Sequence, residues 1–322
     1  MFGAWNIISI VEITFYALVI LLGIYPTIKI ISKKSRFGWF YIRYGILVFS
    51  KLVAGALLVG YIHQLNDYIN GNEIENINGN EIENININLL IASLVLNSIS
   101  LGFLNMLNNF IVAYVDKFGK IKEEQNKKKY PGQGIIYLIF PIESLKEFYR
   151  GKIFDGFESL SSKLTLYAII INSVGSSRVE DTDSNERKVT KQIMEAGAII
   201  YLISILSNGI LTCIKIFHQK SIHFKKILGL SLTIFPFLLI RIIYNVCAAF
   251  TYSVDGTFSE NVSKFTFLLG DWKLYLGLLF VEECICTAIL LVITWIVLYE
   301  EPSQSSYTVE NEKEYDESYN SV

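Results

Sequence analysis

Residues 272–299 read WKLYLGLLFVEECICTAILLVITWIVLY, an apolar run whose only charged side chains are Lys273, Glu282 and Glu283. A helix needs about 20 apolar residues to cross the hydrocarbon core of a bilayer, and this run is longer. Its many Val and Ile residues do not argue against a helix, because in lipid the backbone must satisfy its hydrogen bonds within the segment. The segment therefore predicts a transmembrane helix.

The composition of the whole chain agrees with a membrane protein. Of its 322 residues, 52% are hydrophobic and 18% are charged, with a mean hydropathy of +0.41. A soluble domain has about 25% charged residues, so this chain has too little charge for a water-facing surface. Its net charge of −2 provides no basic field for binding nucleic acid. A secreted disulfide scaffold, a disordered chain and an ordinary soluble enzyme are all disfavoured.

The sequence predicts an all-α, polytopic bundle of seven transmembrane helices within residues 1–300. The fourth span is the weakest, because its clean apolar part, 164–171, is short. The other spans are long apolar runs separated by charged segments. The predicted spans are 5–31, 38–62, 88–114, 160–174, 196–217, 227–252 and 272–299.

Lysine and arginine predict the orientation, because cytoplasmic loops are enriched in them. Segments 32–37, 115–159 and 218–226 carry most of the loop cations, whereas 63–87 carries none. The N-terminus is therefore expected outside and the C-terminus in the cytosol. The sequon at Asn261 falls in an outside loop and is a candidate glycosylation site.

Three segments lie outside these spans. Residues 134–154 contain IIYLIFPIESL, which is too short to cross; an interfacial helix, an extension of span four and a re-entrant loop all remain open. NGNEIENI occurs twice in tandem over residues 70–85 and is interpreted as a solvent-exposed insertion. Residues 301–322 are expected to form a disordered, acidic cytosolic tail.

Five ionisable residues lie deep within the predicted spans. At 1.5 Å per residue, each is about 10 to 20 Å from one end of its span. A charge at the centre of a bilayer costs at least about 2.5 kcal/mol, so it needs a partner, water or a function. Lys51 is expected to pair with Glu12, and Arg241 with Glu282 or Glu283. The predicted charge layer consists of Glu12, Lys51, Arg241, Glu282 and Glu283.

Two interpretations of this layer remain open. The pairs hold the bundle together, or they line a polar cavity for a small molecule, ion or lipid headgroup. Pro236, five residues before Arg241, is a candidate hinge of helix six, and equally a fixed bend. The asparagines of span three are interpreted as packing residues that hydrogen-bond between helices.

No motif in the sequence indicates an enzyme, a metal or a cofactor. The three histidines lie at span ends or in loops, so a zinc site that needs several His ligands is disfavoured. Zinc-protease, P-loop and nucleophile-elbow motifs are all missing. The sequence therefore predicts no catalytic residues, no cofactor and no metal site.

The chain resembles a family of fungal seven-helix integral membrane proteins that carries a domain of unknown function. The resemblance lies in IISIVEITFYALVILLGIYPTIK (7–29), FSKLVAGALLVG (49–60), PFLLIRIIYNVCAAF (236–250) and FVEECICTAILLVITWIV (280–297). It implies the fold, but no activity, because none is assigned to that family.

The sequence favours a heptahelical receptor or sensor with a charged intramembrane pocket. A small-solute or lipid transporter and a structural membrane protein without a ligand are the alternatives. The expected partners are the lipid bilayer and a small-molecule or lipid ligand, with no nucleic acid and no identified cytosolic partner. The expected location is the plasma membrane or another membrane of the secretory pathway.

Overall fold

The described residues of the chain are 3–32, 38–72, 86–129, 160–178, 184–219, 221–252, 264–265 and 271–300 in this computed structural model. Within these ranges the chain forms helices and their short connections, without a strand, so the all-α class is confirmed. Six helices there are long and apolar enough to cross a membrane. This is compatible with a multi-pass membrane protein.

The helices are numbered in chain order, and the last contains a π-helical segment, Leu276–Phe280, between Trp272–Tyr275 and Val281–Glu300. The full set is α1 (Gly3–Ser32), α2 (Gly38–Asn72), α3 (Ile87–Lys129), α4 (160–177), α5 (Ser184–His218), α6 (Ile222–Phe250) and α7 (Trp272–Glu300).

Several helices extend beyond the predicted apolar spans. Helix α3 continues to Lys129 through a stretch rich in Lys, Glu and Gln, which are good helix formers. Helix α5 begins at Ser184, in what the sequence suggested was a loop. Hydropathy detects only the apolar part of a helix, whereas backbone hydrogen bonding continues into polar sequence.

Consecutive helices of the bundle run antiparallel. We call the end at which α1 begins the first end, and the opposite end the second end. Helices α1, α3, α5 and α7 begin at the first end, and α2, α4 and α6 begin at the second. Helix α3 is central, because it packs on α2, α5, α6 and α7 and also hydrogen-bonds to α4. The packing of α1 against α7 places α1, α2, α6 and α7 side by side.

Helix α4 is not among the six long apolar helices. In contrast to a helix of a soluble protein, it buries polar residues and exposes apolar ones. Its polar Ser161 and Thr165 are fully buried, whereas Leu166, Tyr167 and Ile170 are exposed. Ser161 and Thr165 lower its mean hydropathy without facing outward, whereas Lys163, which also lowers it, is exposed. An apolar outside with a polar inside suits a helix surrounded by lipid.

Large apolar side chains cover much of the outer surface of the bundle. On α1, Ile7 and Leu21 are each 66% exposed, and Ile28 is 64% exposed. Similar residues lie on the outer faces of α2, α4, α5, α6 and α7. A contiguous apolar surface of this extent is typical of a membrane-embedded protein.

Candidate functional site

Lys51 of α2 lies at the centre of a buried charge cluster. Its Nζ is 3.0 Å from Oε1 of Glu12 on α1 and also contacts Glu283 on α7. The Nζ donates a hydrogen bond to Asn97 Oδ1 of α3, and it lies 6.0 Å from the centroid of the Tyr16 ring. One ammonium group therefore joins three other helices.

Glu283 connects this lysine to an arginine on α6. Arg241 Nε donates a hydrogen bond to Glu283 Oε1 at 3.0 Å, and Arg241 Nη1 donates one to Asn245 Oδ1 within the same helix. We call Glu12, Lys51, Arg241 and Glu283 the charge quartet. Its two cations and two carboxylates balance, so the formal charge of the quartet is zero.

The quartet is closed to solvent. Its members are between 0% and 2% exposed, so the charged groups contact one another and not a water-filled chamber. Removing one partner of a buried ion pair costs about 3–5 kcal/mol, because the other charge is left uncompensated. Of the two interpretations left open by the sequence, mutual pairing therefore describes this conformation.

Apolar layers cover the quartet on both sides along the bundle axis. Toward the first end lies a cluster that includes Trp5 and Tyr275, whose ring centroids are 4.9 Å apart. Toward the second end lie Tyr16, Leu47 and Leu290, which belong to the main core. The ionic groups thus form a polar island between two hydrophobic layers, where their attraction is screened less than in water.

A glycine allows α1 and α2 to approach each other at the quartet. Gly55 lies one helical turn after Lys51. A Cβ at this position would lie 3.0 Å from Ile13 Cγ1 and 3.8 Å from Glu12 Cγ. Because no side chain occupies this space, α1 packs close enough for Glu12 to reach Lys51.

The π-helical segment of α7 turns Tyr275 and Glu283 toward the same side of the helix. In a regular α-helix, Tyr275 and Glu283 would point about 80° apart at 100° per residue. A π turn accommodates one extra residue, which removes about 100° and brings the two side chains within about 20°. Both face the interior, where Tyr275 is 0% and Glu283 1% exposed.

Glu282, the fifth predicted residue, lies apart from the quartet. It is about 100° around α7 from Glu283, and no cation pairs with it within the described ranges. Its Oε2 is buried and accepts no hydrogen bond from the part of the chain that the structure describes. The structure therefore assigns the pairing with Arg241 to Glu283.

Pro236, the predicted hinge, lies outside the quartet. Helix α6 continues through Pro236 without interruption, and the proline faces outward. Its missing N–H leaves one carbonyl of the preceding turn without its helical donor. Asn261, segment 134–154, most of the tandem repeat and the tail 301–322 lie outside the described residues.

Sequence reasoning did not assign Asn97 and Asn245 to the charge layer. Asn97 lies ten residues into α3, at about the same depth as the charges, and this depth was the available signal. Asn245 lies one turn after Arg241, a spacing at which helical side chains meet. The π turn, by contrast, has no evident signal in the sequence.

A second, uncharged network joins α3, α4 and α5 nearer the second end. Asn105 Nδ2 donates to Thr165 Oγ1 at 2.9 Å and to Ser204 Oγ at 3.0 Å. Its Oδ1 accepts from Asn208 Nδ2 at 3.1 Å. These bonds agree with the packing role predicted for the asparagines of α3.

The described residues include no group of three or more His, Cys, Asp or Glu that could hold a metal ion. The quartet carboxylates already bind Lys51 and Arg241.

Comparison with known proteins finds a family model, Domain of unknown function (DUF7702), that matches residues 143–299. The match covers a little under half of the chain; it includes Arg241 and Glu283 but not Glu12 and Lys51. It supports the expected relation to a domain of unknown function, but shows neither a fungal source nor a seven-helix family. No curated protein and no solved structure matches the chain.

Proposed function

We propose that this chain is a seven-span membrane protein of receptor or sensor type, whose charge quartet is a switch between two arrangements of the bundle. The observation that carries the proposal is the position of Glu283. Its carboxylate contacts Lys51 on α2 and Arg241 on α6, and it is 1% exposed. Any motion that separates α6 or α7 from α1 and α2 must break at least one of these pairs.

The charge distribution supports the orientation. Helix α3 ends in the basic stretch 117–129 at the second end, where the basic segment 32–37 also connects α1 to α2. The acidic segment 73–83 follows α2 in the sequence, and α2 ends at the first end. Under the positive-inside rule the second end is cytosolic, so the N-terminus is outside and the tail 301–322 is inside.

Helix α4 is the seventh span in this proposal. Its 18 residues, 160–177, extend about 27 Å at 1.5 Å per residue, which approaches the ~30 Å thickness of the hydrocarbon core. Its buried hydroxyls bond to α3 and α5, and its apolar residues face outward. Ser161 and Thr165, which weaken its hydropathy, are therefore not exposed to lipid, and the exposed Lys163 lies within one turn of the second end, where a lysine can reach the interface.

A buried ionic cluster suits a switch because it has two distinct arrangements. When closed, the charges neutralise one another; when separated, each needs water or a new partner. The cost of separation, about 3–5 kcal/mol for an uncompensated buried charge, keeps the resting state closed. A small-molecule or lipid ligand that binds the separated arrangement more tightly would shift the population toward it.

Pro236 of α6 and the π segment of α7 are two places at which these helices can change direction. Proline weakens the hydrogen bonding of the helix around it, and π segments are frequent at functional sites. The two features lie on the two helices that Arg241 and Glu283 connect. They give α6 and α7 the means to move relative to α1 and α2.

Two alternatives remain as proposals. A small-solute or lipid transporter is favoured by the π segment at the level of the charges, since irregular helices mark substrate sites in transporters. A structural membrane protein without a ligand would use the closed quartet only to hold four helices together. The three proposals differ in whether a second arrangement of the bundle exists and whether it moves a solute.

The test measures the distance between α1 and α6 at the second end. Spin labels at I28C and I222C, both exposed positions, are introduced after the four native cysteines are replaced. We expect one distance in the parent protein and a second population in Glu283→Gln. Glu282→Gln should keep the single distance, because Glu282 pairs with no quartet cation.

Adding Lys51→Met to Glu283→Gln restores neutrality, since Glu12 and Arg241 remain, and should reduce the second population. If Glu283→Gln lowers the unfolding temperature but leaves a single unchanged distance, the quartet only stabilises the bundle and the sensor proposal is wrong. Solute uptake into vesicles that depends on Glu283 would favour the transporter.

A further inference from the structure

A groove with a cavity volume of about 560 Å³ runs along the outer surface between α2 and α3. This volume is typical of a site for one small ligand, about 300–1,000 Å³. Ile42 is 50% and Phe49 64% exposed, so the groove opens to the surroundings of the bundle. Its main lining residues are Ile42, Ile46, Phe49, Val53, Leu96 and Ile99.

The length of the groove equals the thickness of one leaflet. Ile42 and Val53 lie at its two ends on α2, and the eleven residues of rise between them amount to about 16 Å. Half of the hydrocarbon core is about 15 Å. Val53 is close in sequence to Lys51, at the level of the charge quartet, so the groove extends from the second end to the middle of the bundle.

A cation without an acidic partner lies at the second-end limit of the groove. Arg43 follows Ile42 directly, and its guanidinium carbon is 5.6 Å from the centroid of the Phe110 ring on α3. No acidic side chain of the described residues forms an ion pair with Arg43. The Phe110 ring positions the guanidinium group beside α3 and leaves its N–H donors available to an anion.

We propose that this groove binds an anionic phospholipid of the leaflet at the second end. Its phosphate accepts hydrogen bonds from Arg43, and one acyl chain fills the groove as far as Val53. The apolar lining accounts for the acyl chain, and the unpaired guanidinium accounts for the anionic headgroup. This inference rests on the membrane placement proposed above, but not on the sensor role.

Gly45 provides a way to block the groove without disturbing the bundle. It belongs to the lining, and a Cβ at this position would meet no atom within 4 Å. Gly45→Leu should therefore place a side chain in the groove and leave the packing of α2 intact. Arg43→Gln removes only the charge.

Native mass spectrometry of the full chain in mild detergent can test the proposal. The protein is titrated with phosphatidylglycerol and with phosphatidylcholine that carry the same acyl chains. We expect the parent protein to retain one phosphatidylglycerol about five- to tenfold more tightly than phosphatidylcholine. Arg43→Gln should lose this preference, and Gly45→Leu should lose both lipids from this site. Arg178→Gln, an exposed arginine at the first end, should behave like the parent.

Four results would overturn the proposal. Equal retention of the two lipids by the parent, or an unchanged preference in Arg43→Gln, would exclude recognition of the headgroup. Displacement of the lipid by inorganic phosphate alone would identify a simple anion site. A dimer that Gly45→Leu dissociates, with no change in lipid retention, would show that a second copy of the chain occupies the groove. None of these results depends on whether the charge quartet switches.

Discussion

Glu283 accepts a hydrogen bond from Arg241 at 3.0 Å, between two helices and with both side chains almost fully buried. The same carboxylate also contacts Lys51. One acid therefore compensates two cations, and Glu12 supplies the remaining negative charge to Lys51 at 3.0 Å. The stability of this arrangement depends on charge balance across four helices and not on a single pair.

Charge balance predicts that a second substitution can rescue a damaging one. Arg241→Leu leaves one uncompensated carboxylate in the quartet and should lower the free energy of unfolding by about 3–5 kcal/mol. Adding Glu283→Leu leaves only the neutral Glu12–Lys51 pair and should recover a large part of that loss. Thermal unfolding of the purified protein in detergent measures both effects.

The adjacent acid provides the matched control for this rescue. Adding Glu282→Leu to Arg241→Leu should give no comparable recovery, because Glu282 is not part of the quartet. Equal rescue by Glu282→Leu and Glu283→Leu would show that the choice between the two acids is wrong.

The close approach of α1 and α2 predicts a steric effect at Gly55. Gly55→Val should push Ile13 away, lengthen the contact between Glu12 and Lys51 and destabilise the protein by about 1–3 kcal/mol. Gly45→Val on the same helix should have little effect, because a Cβ there meets nothing within 4 Å. The two variants are compared by thermal unfolding; equal destabilisation would exclude the close helix contact as the cause.

The uncharged network predicts a smaller, local effect. Asn105→Ala removes hydrogen bonds to Thr165, Ser204 and Asn208. Hydrogen bonds between membrane helices contribute about 0.6–2 kcal/mol each. Because Thr165 and Ser204 stay hydrogen-bonded to each other, we expect a total loss of about 2 kcal/mol, at the upper end of this range. Ser207→Ala is the control, since this hydroxyl is exposed and bonds only within its own helix.

A double-mutant cycle separates the bond to α4 from the rest of the network. If Asn105 and Thr165 interact directly, the combined Asn105→Ala and Thr165→Ala loss should be smaller than the sum of the single losses. Simple additivity would mean that α4 is held in the bundle by other contacts.

The sequence could predict the buried charges, because an ionisable residue in a long apolar run needs a partner. It could also place α1, α2, α6 and α7 side by side, since consecutive helices tend to be neighbours and the bundle closes. It could not select Glu283 over Glu282. That choice depends on the rotation of α7, which the π turn at Leu276–Phe280 changes by about one residue.

Other features depend on contacts between distant parts of the chain. To predict that Asn97 pairs with Lys51, one must know how far α2 and α3 are shifted relative to each other along the bundle axis. Hydropathy defines this shift only to within a few residues. The groove between these helices is lined by Gly45, which has no side chain to fill it, and by Leu96 and Ile99 of α3. Periodicity within one helix contains no information on the shape of the gap between two.

The number of spans determines on which side of the membrane the N-terminus, the Asn261 sequon and the C-terminus lie. If α4 crosses the membrane, an N-terminal tag and the Asn261 sequon lie outside and a C-terminal tag lies in the cytosol. If α4 does not cross, the two tags share one side and Asn261 lies on the other. We expect a glycan-dependent mobility shift that Asn261→Gln abolishes, together with an externally accessible N-terminal tag and a protected C-terminal tag.

A sequon engineered into 117–129 should stay unmodified, because this basic segment is cytosolic under either span count. Two accessible tags without a glycan at Asn261 would contradict the crossing of α4, even though its outward face is apolar and its Ser161 and Thr165 are buried.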